Sequence, residues 1–109
     1  MTNECYDPGN HLRGRKRMDF SKALEAMKSG GRVQRAGWNG KDMWIALGDG
    51  GVTEAGKFWN RHSKAFAESQ PNKSAEVLPY FLMKTADNKI LMGWLASQTD
   101  LIAEDWVLL

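Results

Sequence analysis

Apolar positions along this chain recur with two different periods, and the places where the period changes mark the elements. Phe20, Ala23, Leu24 and Met27 fall three and four residues apart, which gathers them on one stripe of a helix. Asp19 stands where an N-cap is wanted and Gly30-Gly31 where a helix stops, so the spacing predicts a helix over 20–28 with a buried stripe. The period then shortens to two. Arg32-Val33-Gln34-Arg35 reads as a short strand, with Val33 facing one way and its basic and amide neighbours the other. Asn39-Gly40, inside Gly37-Trp38-Asn39-Gly40-Lys41, is a tight-turn signal, because both residues tolerate positive φ. Met43-Trp44-Ile45-Ala46-Leu47 reads as the second strand.

Residues 48–76 break the pattern. Gly48, Gly50, Gly51 and Gly56 open this stretch, and Ser69-Gln70-Pro71-Asn72-Lys73-Ser74 stands near its end. Lys57 to Glu68 reads as a helix between them, with Phe58, Arg61, His62, Ala65 and Phe66 on related faces. The stretch is read as a long insertion, a lid or an oligomer contact. After Leu78-Pro79, Tyr80 to Ala86 has strand content, Asp87-Asn88-Lys89 makes a turn, and Ile90 to Trp94 returns. Ser97-x-x-Asp100 ahead of Leu101-Ile102 is a capping-box-like helix start, with Asp in place of the usual Glu or Gln. Asp105 to Leu109 closes as a final strand. The elements amount to an α+β domain, a small antiparallel sheet with an N-terminal helix and short helices.

Composition changes this picture little, and charge somewhat more. The chain has 109 residues, enough for one domain with a lean core, and five tryptophans to help fill it. A single cysteine, Cys5, rules out an intrachain disulfide or a cysteine-based metal cluster. No apolar run approaches the roughly 20 residues of a membrane span. No signal-peptide core is visible either, so the expected compartment is the cytosol. Arg13, Arg15, Lys16 and Arg17, set against Glu4 and Asp7, account for the whole formal charge of +2. Residues 1–17 therefore read as a disordered basic tail preceding a start at Met18, or else as an arm for a partner or nucleic acid. Residues 18–109 carry no net charge and form the single domain. Such a body is poorly suited to duplex DNA, whose binding rests on neutralising many phosphates.

The chemistry concentrates near the C-terminus. Gly93-Trp94-Leu95-Ala96-Ser97-Gln98-Thr99-Asp100 sets an indole beside short donors and acceptors, a combination that suits a flat ring bearing hydroxyls. Helix capping alone also accounts for Ser97 and Asp100. Trp38, Asn39 and Lys41 offer a stacking face, an amide and a cation on one turn, although a rim tryptophan on a hairpin explains Trp38 as well. His62 and His11 have no metal-ligand spacing, and a solvated His62 is the simpler reading.

Asp19-Phe-Ser-Lys-Ala-Leu24, Gly37-Trp-Asn-Gly-Lys41, and Gly93-Trp-Leu-Ala-Ser-Gln-Thr-Asp100 with Glu104-Asp-Trp106 together resemble the small phage Thoeris anti-defence proteins of the second type. The likeness covers Met18–Leu47 and Leu78–Leu109. It implies a non-enzymatic sponge that holds glycocyclic ADP-ribose made by TIR-domain immune enzymes, in the cytoplasm of the infected bacterium. It also implies a homo-oligomer, typically a tetramer, with pockets at subunit contacts and no cofactor or metal. Some relatives also hold cyclic dinucleotides at separate sites. On the matched positions, Trp38 and Trp94 would stack or wall the ligand. Asn39, Ser97, Gln98, Thr99 and Asp100 would bond base and ribose, and Lys41 or Arg35 would meet a phosphate. Trp106 is expected in the core. Two other classes remain: an enzyme cleaving a nucleotide signal with Asp100, Glu104 or Asp105 as general base, and an accessory protein that binds protein or DNA through its tail and insertion.

Overall fold

The computed structural model describes residues 15–38 and 42–109. The residues divide into two compact units, one running up to Leu47 and resuming at Phe81–Leu109, the other being Gly48–Tyr80. Cys5, His11, most of the basic tail and the Asn39-Gly40-Lys41 turn lie outside the described residues.

In the first unit, helix α1 spans Phe20–Lys28, and the Asp19 carboxylate accepts the Lys22 N–H as its N-cap. The helix lays its stripe on strands β1 (Val33–Arg35) and β7 (Trp106–Leu108). Ala23, Met27, Val33, Ile45, Met83 and Trp106 form the buried centre, and Phe20, Leu24, Phe81, Trp38 and Trp94 pack around it. Strand β2 is Trp44–Gly48, β5 is Tyr80–Lys84 and β6 is Ile90–Met92. The sheet order is β6-β5-β2-β1-β7, and the β1–β2, β1–β7 and β5–β6 pairings are antiparallel. The chain's last strand therefore lies beside its first, opposing Arg35 to Trp106 and Gln34 to Val107.

Gln34 adds burial to the alternation read from the sequence. It is 1% exposed, as buried as Val33, and its amide donates to the Met43 carbonyl at 2.6 Å. Val107 opposite it is buried too, so β1 is covered on both faces and polarity does not mark its solvent side. The Gln34 amide oxygen has no partner among the described residues.

In the second unit, strands β3 (Gly51–Glu54) and β4 (Ser74–Val77) pair antiparallel around helix α2 (Arg61–Ser69). The helix starts later than the sequence spacing predicts because the Asn60 side chain accepts from His62 N–H and Ser63 N–H and fixes the N-terminus there. None of the helices described is long and apolar enough to cross a membrane.

Candidate functional site

The C-terminal segment is built around a chain of aromatic rings in the first unit. Trp106 is fully buried, and its ring meets Phe20 at 5.3 Å and Trp38 at 5.4 Å, both edge to face. Trp38 meets Trp94 at 6.2 Å and 77°, and Trp94 meets Phe81 at 6.3 Å. Edge-to-face contact brings the positive rim of one ring to the negative face of the next, so each pair gains about 0.5–1.5 kcal/mol beyond its area. Trp38 and Trp94 are half-buried: one side of each joins the core and the remainder stays accessible. Trp94 reaches its place through Gly93, which ends β6 at φ +90, and both N–H groups donate to the Phe81 carbonyl.

Three residues on, helix α3 (Gln98–Ile102) begins with a complete capping box. Asp100 N–H donates to Ser97 Oγ at 3.1 Å. Asp100 Oδ2 accepts from the Ser97 N–H at 3.2 Å and from the Ser97 hydroxyl at 2.9 Å. Short as it is, the helix is closed at its start by its own side chains, and the Asp100 carbonyl also accepts the Trp106 indole N–H at 2.9 Å.

Arg35 ties this helix to the turn that carries Trp38. Its Nη1 donates to Asp100 Oδ1 at 2.8 Å and its Nε to Asp105 Oδ1 at 2.9 Å. The other Asp105 oxygen accepts the Gly37 N–H at 2.9 Å, and the Asp105 carbonyl accepts the Ala36 N–H at 2.9 Å. Ala36–Trp38 is thereby wound into a single 3-10 turn. A Cβ at Gly37 would stand 3.0 Å from Asp105 Oδ2 and 3.6 Å from Arg35 Nη2, so a side chain there would crowd the clamp. The three charged side chains are 13–22% exposed, which leaves their interactions only partly screened.

These contacts set the protonation states. The Asp105 hydrogen bond, opposed by burial and helped by Asp100, holds the Arg35 guanidinium above its ordinary range. Burial pushes both carboxyls up, but the bonds from Arg35, Ser97 and the Gly37 N–H outweigh it. Asp100 and Asp105 therefore lie below the ordinary carboxylate range.

The residues expected to bind thus separate into two groups. Ser97, Gln98 and Thr99 are exposed at the start of α3, the Ser97 hydroxyl also serving the capping box, with Trp94 before them and Trp38 against Trp94. Asp100 and Arg35 sit in the same place, but both Asp100 carboxylate oxygens and the Nη1 and Nε of Arg35 are engaged with each other and with their neighbours. Asn39 and Lys41 lie outside the described residues. Sequence reasoning left Asp105 only a catalytic alternative, whereas here it joins Arg35 to the Gly37 backbone. The one signal for that role is non-local: pairing Arg35 with Trp106 puts residue 105 beside Ala36. In the Gly48–Tyr80 unit, His62 lines an open hollow of about 390 Å³ with Phe58, Phe66 and Val77.

The comparisons with known proteins agree with the motifs. The family model described as the Thoeris anti-defense 2-like domain matches residues 18–109, a span that includes 48–76. The chain is similar to a Bacillus phage SP01 protein named Thoeris anti-defense 2, at 40% identity over 96 residues, covering 83% of this chain and 92% of the relative. With the capping box, the Trp38–Trp94 pair and the Gly37 turn all falling within the matched span, the chain belongs to the Thoeris anti-defense 2 family.

Proposed function

We propose that this protein is a phage anti-defence sponge that binds and holds a cyclic nucleotide immune signal, glycocyclic ADP-ribose, without chemically changing it. The observation that carries the reading is the Trp38–Trp94 pair at 6.2 Å beside the exposed Ser97-Gln98-Thr99 start of α3, in a chain of the anti-defence family. An indole edge or face suits a purine ring. Two hydroxyls and an amide suit ribose hydroxyls and a base edge. Lys41, three residues after Trp38 in the sequence, is the cation proposed for a phosphate.

Of the general bases the enzymatic alternative offers, Asp100 and Asp105 fare poorly on physical grounds. A general base works best with a pKa near the operating pH and a lone pair free to take the proton. Asp100 and Asp105 have lowered pKa values, and both oxygens of each already accept hydrogen bonds.

Homo-oligomerisation, as a tetramer with pockets shared between subunits, is part of the same proposal. Its support is apolar surface on the first unit. Ile90, Leu91 and Met92, all about half exposed, occupy β6 at the edge of the sheet, with Leu95 at 89% and Ile102 at 73% exposed nearby in the chain. An uncovered apolar edge strand is a pairing surface.

The test is to mix the protein with glycocyclic ADP-ribose, measure binding by calorimetry and native mass spectrometry, then release the ligand by heat. Stoichiometric binding to a tetramer and recovery of intact ligand are expected. Recovery of hydrolysed nucleotide alone would overturn the sponge reading.

A further inference from the structure

We infer that Arg35 and Asp105 are positioning residues, which hold the Trp38 turn against the Trp94–Ser97 wall and do not themselves touch a ligand. The inference rests on the proposed binding site and specifies which of its charged residues contact the signal. The family resemblance offers Arg35 as an alternative to Lys41 for a phosphate, but the bonding pattern points elsewhere. Arg35 Nη1 and Nε are spent on two different carboxylates, at 2.8 Å and 2.9 Å. These carboxylates belong to different parts of the wall. Asp100 is the third residue of α3 and closes its capping box, whereas Asp105 lies past the helix and grips the Gly37 N–H. Among the described residues, the guanidinium thus bonds both the α3 start and the anchor of the Ala36–Trp38 turn. Its planar fork is what permits two carboxylates to be held in fixed directions at once.

Charge points the same way. Two carboxylates around one guanidinium leave a local excess of one negative charge, which disfavours a phosphate at that spot. A ligand could take the Nη1 or Nε donor only by breaking a partly buried, charge-assisted bond that already exists. Asp105 meanwhile spends one oxygen on the guanidinium and the other on a backbone N–H, so its role is to fix the turn's direction.

The experiment compares Arg35→Gln, Arg35→Lys and Asp105→Asn with the unaltered protein, first without ligand. Trp38 and Trp94 cross at 77° with centroids 6.2 Å apart, close enough for their transitions to couple in circular dichroism. Trp94→Phe defines the share of the signal that comes from this pair. Loosening the clamp should reduce that share in all three variants while the helical signal persists. A residue that only contacts ligand would leave the ligand-free spectrum untouched. Calorimetry with glycocyclic ADP-ribose follows. Affinity should fall about tenfold or more in Arg35→Gln, matching the loss of charge-assisted hydrogen bonds. Arg35→Lys should not restore it, because an ammonium keeps the charge but not the fork. An unchanged coupling signal, or rescue by lysine, would overturn the inference. Should the unaltered protein bind no glycocyclic ADP-ribose, the functional proposal fails, and the ligand-free spectra still decide whether Arg35 and Asp105 position the two tryptophans.

Discussion

Asp100→Asn is the substitution whose consequences can be worked furthest from the contacts. The side chain is 13% exposed, and its oxygens divide between Arg35 Nη1 and the Ser97 N–H and hydroxyl. Asparagine keeps one oxygen. Pointed at Arg35, it preserves a neutral hydrogen bond in place of a charge-assisted one, a loss of about 1 kcal/mol. Its amide NH2 then faces the Ser97 N–H, so the reciprocal half of the capping box is lost, about another 0.5–1 kcal/mol. Arg35 retains Asp105, which keeps the total well under the ~3–5 kcal/mol of a stranded buried charge. A destabilisation of about 2 kcal/mol follows, or roughly 10 °C in Tm for a domain of this size. The pH dependence supplies the control. A carboxyl held below its ordinary value of about 3.9 contributes stability that is complete above that value and disappears as pH falls through the lower folded value. The gap between the two proteins, measured by urea denaturation across pH, should be full at neutrality and close below about pH 4. Equal stability at pH 7, or a gap that survives unchanged into acid, would refute the reasoning.

Trp94→Ala should weaken glycocyclic ADP-ribose binding by about ten- to a hundredfold, the range of base–aromatic stacking, as read by calorimetry. Lys41→Ala should lower affinity and flatten its dependence on salt, whereas Arg35→Gln should lower affinity with the salt slope unchanged; binding isotherms at several salt concentrations separate them. Gly93→Ala should cost about 1–2 kcal/mol of unfolding free energy in chemical denaturation. No described residue lies within 4 Å of the added Cβ, so the penalty is that of a φ of +90.

Local chemistry made much of the fold legible. Helix α1 begins and ends where Asp19 and the Gly30-Gly31 pair place it, because caps act within one turn. Ser97 and Asp100 form the box their spacing announces. The misses are non-local. The β3–β4 pairing joins a short strand that follows a glycine-rich turn to one at least 20 residues away, and its register Val52↔Glu76 leaves no mark on either segment alone. The burial of Gln34 is not legible from alternation, which says that it and Val33 face opposite ways but not what covers each face, and the pairing of β7 with β1 joins segments some 70 residues apart. The site was partly legible for the same reason. Side chains on α3 could be read in place, but the second function of Asp100, as a partner of Arg35, depends on a contact 65 residues apart.

The division inside the cluster bears on how a small domain holds a ligand tightly. Every side chain that must be ordered on binding subtracts about 0.5–1.5 kcal/mol from affinity, so a wall fixed in advance binds better than one assembled on contact. Charged groups in this cluster satisfy one another and spend their energy on geometry, while the neutral groups, Ser97, Gln98 and Thr99, remain facing solvent. An exchange of roles would serve worse: an unpaired arginine offered to a phosphate would leave Asp100 and Asp105 repelling each other behind it. Removing the guanidinium should therefore do more harm to the site than removing either carboxylate, since only its loss leaves two like charges together. A measurable loss on removing Asp105 separates the clamp from a direct phosphate contact, which gives no reason for Asp105 to matter at all.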